Sequence, residues 1–285
     1  MQRIDSRPVF ERPLTPSLKP PIHQIMVRFL HTSDWQLGMT RHFLEGEAQH
    51  RFTQSRIDRI RTILRIAKER ECSFVVVAGD CFETNQVHRQ TVVRTLEALR
   101  EESIPVYLLA GNHDPLSDWS VFRTHTFRRL CPDHVKILEP GEIHSPVSGV
   151  ELIGAPWTVK KPHQDLAWET WEAADFQPGT QRILVAHGGA DLLTPHAIDP
   201  AQIQMKRLEE VIERGELHYV ALGDRHSFTH VGTTGRIVYS GAPEPTDYRE
   251  IDSGTIALVE LDQDGARVER MSTGTWTFHS LAFEL

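Results

Sequence analysis

Short apolar runs alternate along this chain with longer stretches in which apolar residues recur every three or four positions. Val27-Arg28-Phe29-Leu30 reads as a strand. Residues 47–70 place Ile57, Ile60, Ile63, Leu64 and Ala67 at helical spacing and predict a helix. Phe74-Val75-Val76-Val77-Ala78 is a continuous apolar run, the pattern of a strand buried on both faces. Residues 87–102 predict a second helix through Val87, Thr91, Leu96 and Leu99. Val106–Ala110 predicts a strand and Trp119–Leu130 a helix. Residues 131–180 are less regular, with a strand at Val150–Ile153 and an acidic amphipathic helix around Trp168 and Trp171, whose indoles read as core anchors. Ile183–Ala186 is again a buried strand, Met205–Arg214 a helix and Tyr219–Leu222 a strand. From residue 228 onward short strands separated by Gly and Pro predict an antiparallel sheet. One α/β domain with two stacked sheets flanked by helices accommodates both halves.

Composition narrows the class. No apolar run approaches the ~18 residues needed to cross a bilayer as a helix. Residues 1–25 interleave Pro8, Pro13, Pro16, Pro20 and Pro21 with Arg3, Arg7, Arg12 and Lys19, which suits neither a signal peptide nor a helix. They read as a flexible Pro-rich extension, and Met26 reads as an alternative start. The three cysteines include no CxxC pair, which fits a reducing cytoplasm and offers no cysteine zinc site. Net charge is −8, which counts mildly against non-specific duplex binding. Residues 41–70 nevertheless hold eight Arg/Lys against four acids, a run that reads as the solvated face of a helix.

The chemistry sits just after the apolar strands, where ligands bind in open α/β sheets. After Val27–Leu30 comes His31-Thr32-Ser33-Asp34-Trp35-Gln36. Phe74–Ala78 is followed by Gly79-Asp80, and Val106–Ala110 by Gly111-Asn112-His113-Asp114. Ile183–Ala186 leads into His187-Gly188-Gly189, and Tyr219–Leu222 into Gly223-Asp224-Arg225-His226. A lone Gly-Asp is commonly a turn or a helix cap. Five ordered strand ends that each deliver a metal-competent donor are much more specific.

This ordered set resembles the calcineurin-like metallophosphoesterase superfamily. The wording of His31-Thr32-Ser33-Asp34-Trp35, of Gly79-Asp80-Cys81-Phe82-Glu83-Thr84 and of Tyr239-Ser240-Gly241-Ala242-Pro243-Glu244-Pro245 is similar to one branch of it, the SbcD/Mre11-like DNA repair nucleases. The resemblance covers roughly residues 27–260. It implies a four-layer α/β/β/α sandwich of two mixed sheets flanked by helices, and hydrolysis of phosphodiester bonds by a two-metal-activated water. It also assigns roles. Asp34 and His226 would bind the first metal, Asn112 and His187 the second, and Asp80 would bridge both. His113 would contact the scissile phosphate and protonate the leaving oxygen, and Asp114 would orient the His113 imidazole.

Two positions depart from the family pattern. Gln36 stands where a histidine is usual, and Asp224 replaces the first histidine of the last motif. Gln36 can offer its carbonyl oxygen to the first metal and Asp224 a carboxylate to the second. Both exchanges replace nitrogen with oxygen, which shifts preference from zinc toward manganese or magnesium. The expected cofactors are therefore two divalent ions with Mn²⁺ favoured, Mg²⁺, Fe²⁺ and Zn²⁺ being the alternatives.

The branch resemblance points to DNA as substrate and to an SMC-like ATPase as partner; a dimer is compatible with it, and no membrane contact is implied. Relatives in this branch are longer and carry a DNA-capping region. Residues 26–285 are accordingly expected to form the phosphoesterase domain without a separate capping domain. Arg41 and His42 are candidate phosphate contacts. Two other readings stay open on the residues: a phosphodiesterase or phosphatase for small molecules such as cyclic nucleotides, and a non-catalytic binding module with this fold.

Overall fold

The computed structural model describes residues 26–196, 199–262 and 265–279. The Pro-rich extension expected over 1–25 lies outside them.

Two six-stranded mixed sheets stack face to face. The first contains β1 (Val27–Thr32), β2 (Phe74–Val77), β3 (Val106–Leu108), β4 (Val135–Ile137), β11 (Thr255–Asp262) and β12 (Gly265–Ser272), in the order β12-β11-β1-β2-β3-β4. The second contains β5 (Ile143–His144), β6 (Val150–Ala155), β7 (Gln181–His187), β8 (Tyr219–Gly223), β9 (Thr229–Val231) and β10 (Ile237–Tyr239), in the order β5-β6-β7-β8-β10-β9. Strands β1 to β4 run parallel, as do β6, β7, β8 and β10. Helices α1 (Glu47–Glu69), α2 (Arg89–Leu99) and α3 (His125–Leu130) cover the first sheet, and α4 (Leu166–Ala173) and α5 (Met205–Glu213) the second.

Strand alternation explains the four layers, because successive side chains point to opposite faces. In β2, Val75 and Val77 pack under the helices with Ile60, Ile63 and Leu64 of α1. Phe74 and Val76 face the other way, into the layer between the sheets, where Phe29, Ile183, Val185 and Tyr219 meet them. In β7, Leu184 and Ala186 turn outward onto Leu208 and Val211 of α5. Phe29 stacks on Phe74 with ring centroids 4.7 Å apart, and Tyr219 meets Phe29 edge-on at 5.6 Å. Trp168 and Trp171 pack against the outer core beside α4, as core anchors should.

Two expectations are corrected. The C-terminal strands do not form a sheet of their own. β9 and β10 join the second sheet, with β10 parallel to β8, while the β11–β12 hairpin adds to the first sheet against β1. The helix expected over Trp119–Leu130 is also broken. A 3-10 turn at Val121–Arg123 gives way to extended backbone at Thr124, whose hydroxyl accepts the Phe127 N–H at 3.3 Å and restarts the chain as α3. Thr and Ser side chains compete with the helix for its own backbone amides, so a hydroxyl inside an apolar period can end it.

Candidate metal centre

The carboxyl ends of β1, β2, β3, β7 and β8 converge on one edge of the sandwich. Asp34 N–H donates to the Gly79 carbonyl at 3.0 Å, tying the β1 loop to the β2 loop. Asp224 N–H donates to both oxygens of the Asp34 carboxylate at 3.2 Å, tying the second sheet to the first. Gly223 is in close contact with the Ala78 carbonyl and Gly111 with Asp80, so a methyl group at either position would collide with the neighbouring loop. Asp34 (φ 53°), Gln36 (φ 44°), Asp80 (φ 52°) and Asp224 (φ 100°) all adopt left-handed backbone that non-glycine residues rarely occupy. Such conformations cost on the order of 1–3 kcal/mol each and persist only where the surrounding structure holds them.

Asp34, Asp80 and His187 each offer a ligand atom within 4.8 Å of the others, and all three are buried. The Asn112 amide stands 2.8 Å from His187 Nε2 and 3.3 Å from the Asp80 carboxylate. An Asp224 oxygen lies 3.9 Å from His187 Nε2. His226 Nε2 lies 3.8 Å from Asp34 and 3.1 Å from the Gln36 amide nitrogen. The seven residues anticipated as metal ligands are thus brought together.

The imidazoles are held in a common orientation. His187 Nδ1 sits 2.9 Å from the Ala78 carbonyl, which can only accept, so this nitrogen carries the proton and Nε2 faces the carboxylates. His226 Nδ1 lies 2.7 Å from Glu250, which likewise turns Nε2 inward. His113 Nδ1 lies 2.9 Å from the Glu83 carbonyl, leaving Nε2 4.0 Å from Asp80.

Asp114 departs from its expected role. Its carboxylate accepts the Phe82 N–H at 2.9 Å and the Gly111 N–H at 2.8 Å, so it clamps the β2 and β3 loops together. The His113 ring is oriented instead by the Glu83 carbonyl. Burial, reinforced by the nearby Asp80 charge, raises the Asp114 pKa to about 7.

The cluster is anionic. Burial pushes Asp34 above the usual carboxylate range, against the pull of His226 and His187. Burial also opposes the Asp80 charge, yet His187 and His113 hold that group below its usual value. Burial alone would lower the His187 pKa; Asp80, Asp34 and Asp224 instead draw it well above normal. A pocket that attracts a proton this strongly attracts a cation for the same reason. Gln36 Oε1 is buried and finds no hydrogen-bond partner among the described residues. Carboxylates, imidazoles and an unpartnered amide oxygen are a donor set that fits divalent metal ions.

Several contributors escape sequence reading. Arg56 lies in the basic run assigned to a solvated helix face, yet it is buried. Its guanidinium donates to the Trp35 carbonyl at 2.9 Å and the Pro245 carbonyl at 3.3 Å, bracing the loop that carries Asp34 and Gln36. Burial lowers its pKa to about 10, so it stays charged at neutral pH. Ser33 donates to Asp34 at 2.6 Å. Arg41 reaches the site's rim through a 2.7 Å bond to the Thr246 carbonyl, whereas His42 is exposed and packs edge-on against Phe43.

Residues 27–252 match the calcineurin-like phosphoesterase family, and the chain belongs to it. It is therefore a member of a family of metal-dependent phosphoester hydrolases. Relatives include the SbcD component of the nuclease SbcCD of Escherichia coli K12, 33% identical over 256 residues, which cover 79% of this chain and 62% of that one. The corresponding Bacillus subtilis protein is 29% identical over 130 residues, 41% of this chain and 32% of that one. The DNA double-strand break repair protein Mre11 of Methanosarcina mazei is 22% identical over 259 residues, 88% of this chain and 39% of that one. The chain thus matches less than two thirds of the length of each. Among solved structures, TT1561 of Thermus thermophilus shares the fold at 11% identity with a TM-score of 0.54, covering 87% of this chain and all (100%) of that one.

Proposed function

We propose that this protein is a DNA-directed phosphodiesterase of the SbcD/Mre11 type, dependent on two divalent metal ions. The observation that carries the reading is the convergence of Asp34, Asp80 and His187 in one buried anionic cluster, with Asn112 and His226 at its edges. Asp34 and His226, with Gln36, would hold one ion and Asn112, His187 and Asp224 the other, and Asp80, beside both sets, would contribute to each. Such ions, when bound, supply the positive charge that acidifies water and offsets the charge growing on the phosphoryl oxygens. His113, half-exposed with Nε2 4.0 Å from the Asp80 carboxylate, would face the leaving alkoxide and serve as its general acid. The oxygen-rich set of Asp34, Gln36, Asp80 and Asp224 supports Mn²⁺ as the working metal. The relatives' names support DNA as substrate, and the resemblance to their branch supports an SMC-like ATPase as partner. The free thiols of Cys72, Cys81 and Cys131 support a cytoplasmic setting.

The test is cleavage of single-stranded and duplex DNA with Mn²⁺, against an Asp80→Asn control. Cleavage that the control abolishes is the expected result. A protein that loads metal but cuts no DNA sinks the DNA reading. A second reading, a small-molecule diesterase, is favoured by the net charge of −8, which gives little long-range attraction for DNA. Turnover of cyclic nucleotides without cleavage of DNA would select it.

A further inference from the structure

A cavity of about 540 Å³ opens beside the metal centre, between the loop carrying Asp224 and His226 and the loop from Thr246 to Glu250. Its lining includes three guanidinium groups, those of Arg41, Arg225 and Arg249. The three acids lining it are already engaged. Glu250 is bonded to His226 at 2.7 Å, Asp247 is paired with Arg249 at 3.0 Å, and Asp224 belongs to the metal-facing set. Arg41 and Arg225 differ. Among the described residues each guanidinium is anchored through Nε alone, Arg41 to the Thr246 carbonyl at 2.7 Å and Arg225 to the Thr229 hydroxyl at 2.9 Å. Neither forms a carboxylate ion pair among the described residues, although the Arg41 charge is felt at Asp247 and Glu83. Anchoring at Nε fixes the plane of the guanidinium and leaves its terminal amino groups for a ligand, the arrangement suited to bidentate capture of a phosphate.

We propose that this cavity is an anion subsite that takes the phosphate next to the scissile one on a nucleic-acid strand, gripped by Arg41 and Arg225. The inference rests on the phosphodiesterase reading above and adds a substrate requirement to it: a second phosphate on one side of the bond that is cut. Location supports the assignment, because the cavity reaches His226 and Asp224, so an anion in it is adjacent to the reacting centre. Overall charge supports it as well. A chain with a net charge of −8 gains little from diffuse attraction to a polyanion, so productive binding depends on local cations such as these.

The test uses the dinucleotide TpT, its 5′-phosphorylated form and its 3′-phosphorylated form as substrates of the Mn²⁺-loaded protein. One phosphorylated form is expected to exceed TpT at least tenfold in kcat/KM, chiefly through KM. In Arg225→Ala, an exposed position where folding is not at risk, that ratio falls to near one; Arg41→Lys, which keeps charge but not the planar fork, reduces it in part. Equal cleavage of all three substrates by the unaltered protein overturns the subsite while leaving the phosphodiesterase reading standing. A preference that survives Arg225→Ala overturns it too. If none of the three is cut although DNA is, one neighbouring phosphate does not position the bond and the subsite fails while the phosphodiesterase reading stands; if DNA is not cut either, both fail.

Discussion

At the scale of single residues, the site is defined by side chains placed where the backbone resists them. Asp34, Gln36, Asp80 and Asp224 all hold positive φ, a region in which glycine would be more comfortable. Gln36 carries the most specific consequence. Its amide nitrogen is 3.1 Å from His226 Nε2, the nitrogen whose lone pair Glu250 turns inward, and its Oε1 has no partner among the described residues. For the oxygen to serve a metal the amide must rotate by half a turn, so the first metal position is expected to bind more weakly than the second. Gln36→His places a nitrogen donor there. Zinc retained after dialysis, read by elemental analysis, should then rise, with an affinity gain of about tenfold or more. Equal zinc content in variant and parent would sink this account of Gln36. His113→Ala should behave differently. The ring touches no more of the cluster than Asp80 at 4.0 Å, so metal content should hold while turnover drops about 10²–10⁴-fold. Loss of metal in that variant would move His113 from proton donor to structural ligand.

At the scale of elements, the helices act on the site from behind. α1 supplies Arg56, which holds the Asp34 loop through the Trp35 carbonyl and the Glu244–Pro245 segment through the carbonyl of Pro245. A second arginine of the same helix, Arg59, reaches Glu244 at 3.3 Å, and that carboxylate takes the backbone N–H groups of Thr275 and Trp276 at 2.7 Å. Replacing Arg56 by Met keeps the volume but leaves these carbonyls without a donor. The cost should be about 2–4 kcal/mol of unfolding free energy in urea, with metal affinity reduced in step. A variant as stable as the parent would show that water replaces the guanidinium. This layer explains what was legible in the sequence. The strands carrying Asp34, Asp80, Asn112, His187 and Asp224 are buried on both faces, so their apolar runs are continuous and the polar residue that ends each run stands out. Arg56 is invisible by the same logic, because a buried arginine inside a run of exposed ones has the periodicity of its neighbours. The family resemblance assigns Asp114 to orient His113, whereas its oxygens are claimed by amides of the two loops it joins. Glu250 becomes a partner of His226 only when the Thr246–Glu250 loop folds back, a contact across 24 residues. The partition of the C-terminal strands was equally hidden, since β9–β10 and β11–β12 read alike as short strands while sheet membership depends on long-range pairing.

At the scale of the whole molecule, the layer between the two sheets is an apolar interior with a titratable group, His31, set into it. His31 of β1 is fully buried; its Nε2 lies 3.2 Å from the Leu222 carbonyl and its Nδ1 2.9 Å from the Tyr219 hydroxyl. The carbonyl can only accept, so Nε2 carries the proton and Nδ1 accepts from Tyr219. This neutral tautomer bridges the first sheet to the second. Burial lowers the His31 pKa to about 3, despite the opposing carbonyl of Leu222. The unfolded chain, with an ordinary value near ~6.5, therefore binds a proton that the folded chain refuses. Stability from this group is fully present above the unfolded value and is lost as pH falls from ~6.5 through the folded value, with a limiting slope of about 1.4 kcal/mol per pH unit. His31→Gln can keep both bonds, amide to carbonyl and hydroxyl to amide oxygen, and it removes the titration. Urea unfolding in EDTA, which takes metal linkage out of the comparison, should give a shallower loss of stability between pH 6 and pH 4.5 for the variant than for the parent, by up to ~2 kcal/mol over that interval. Parallel slopes would mean that protonated His31 is accommodated between the sheets, and that the acid sensitivity of the fold belongs to its surface and site carboxylates instead.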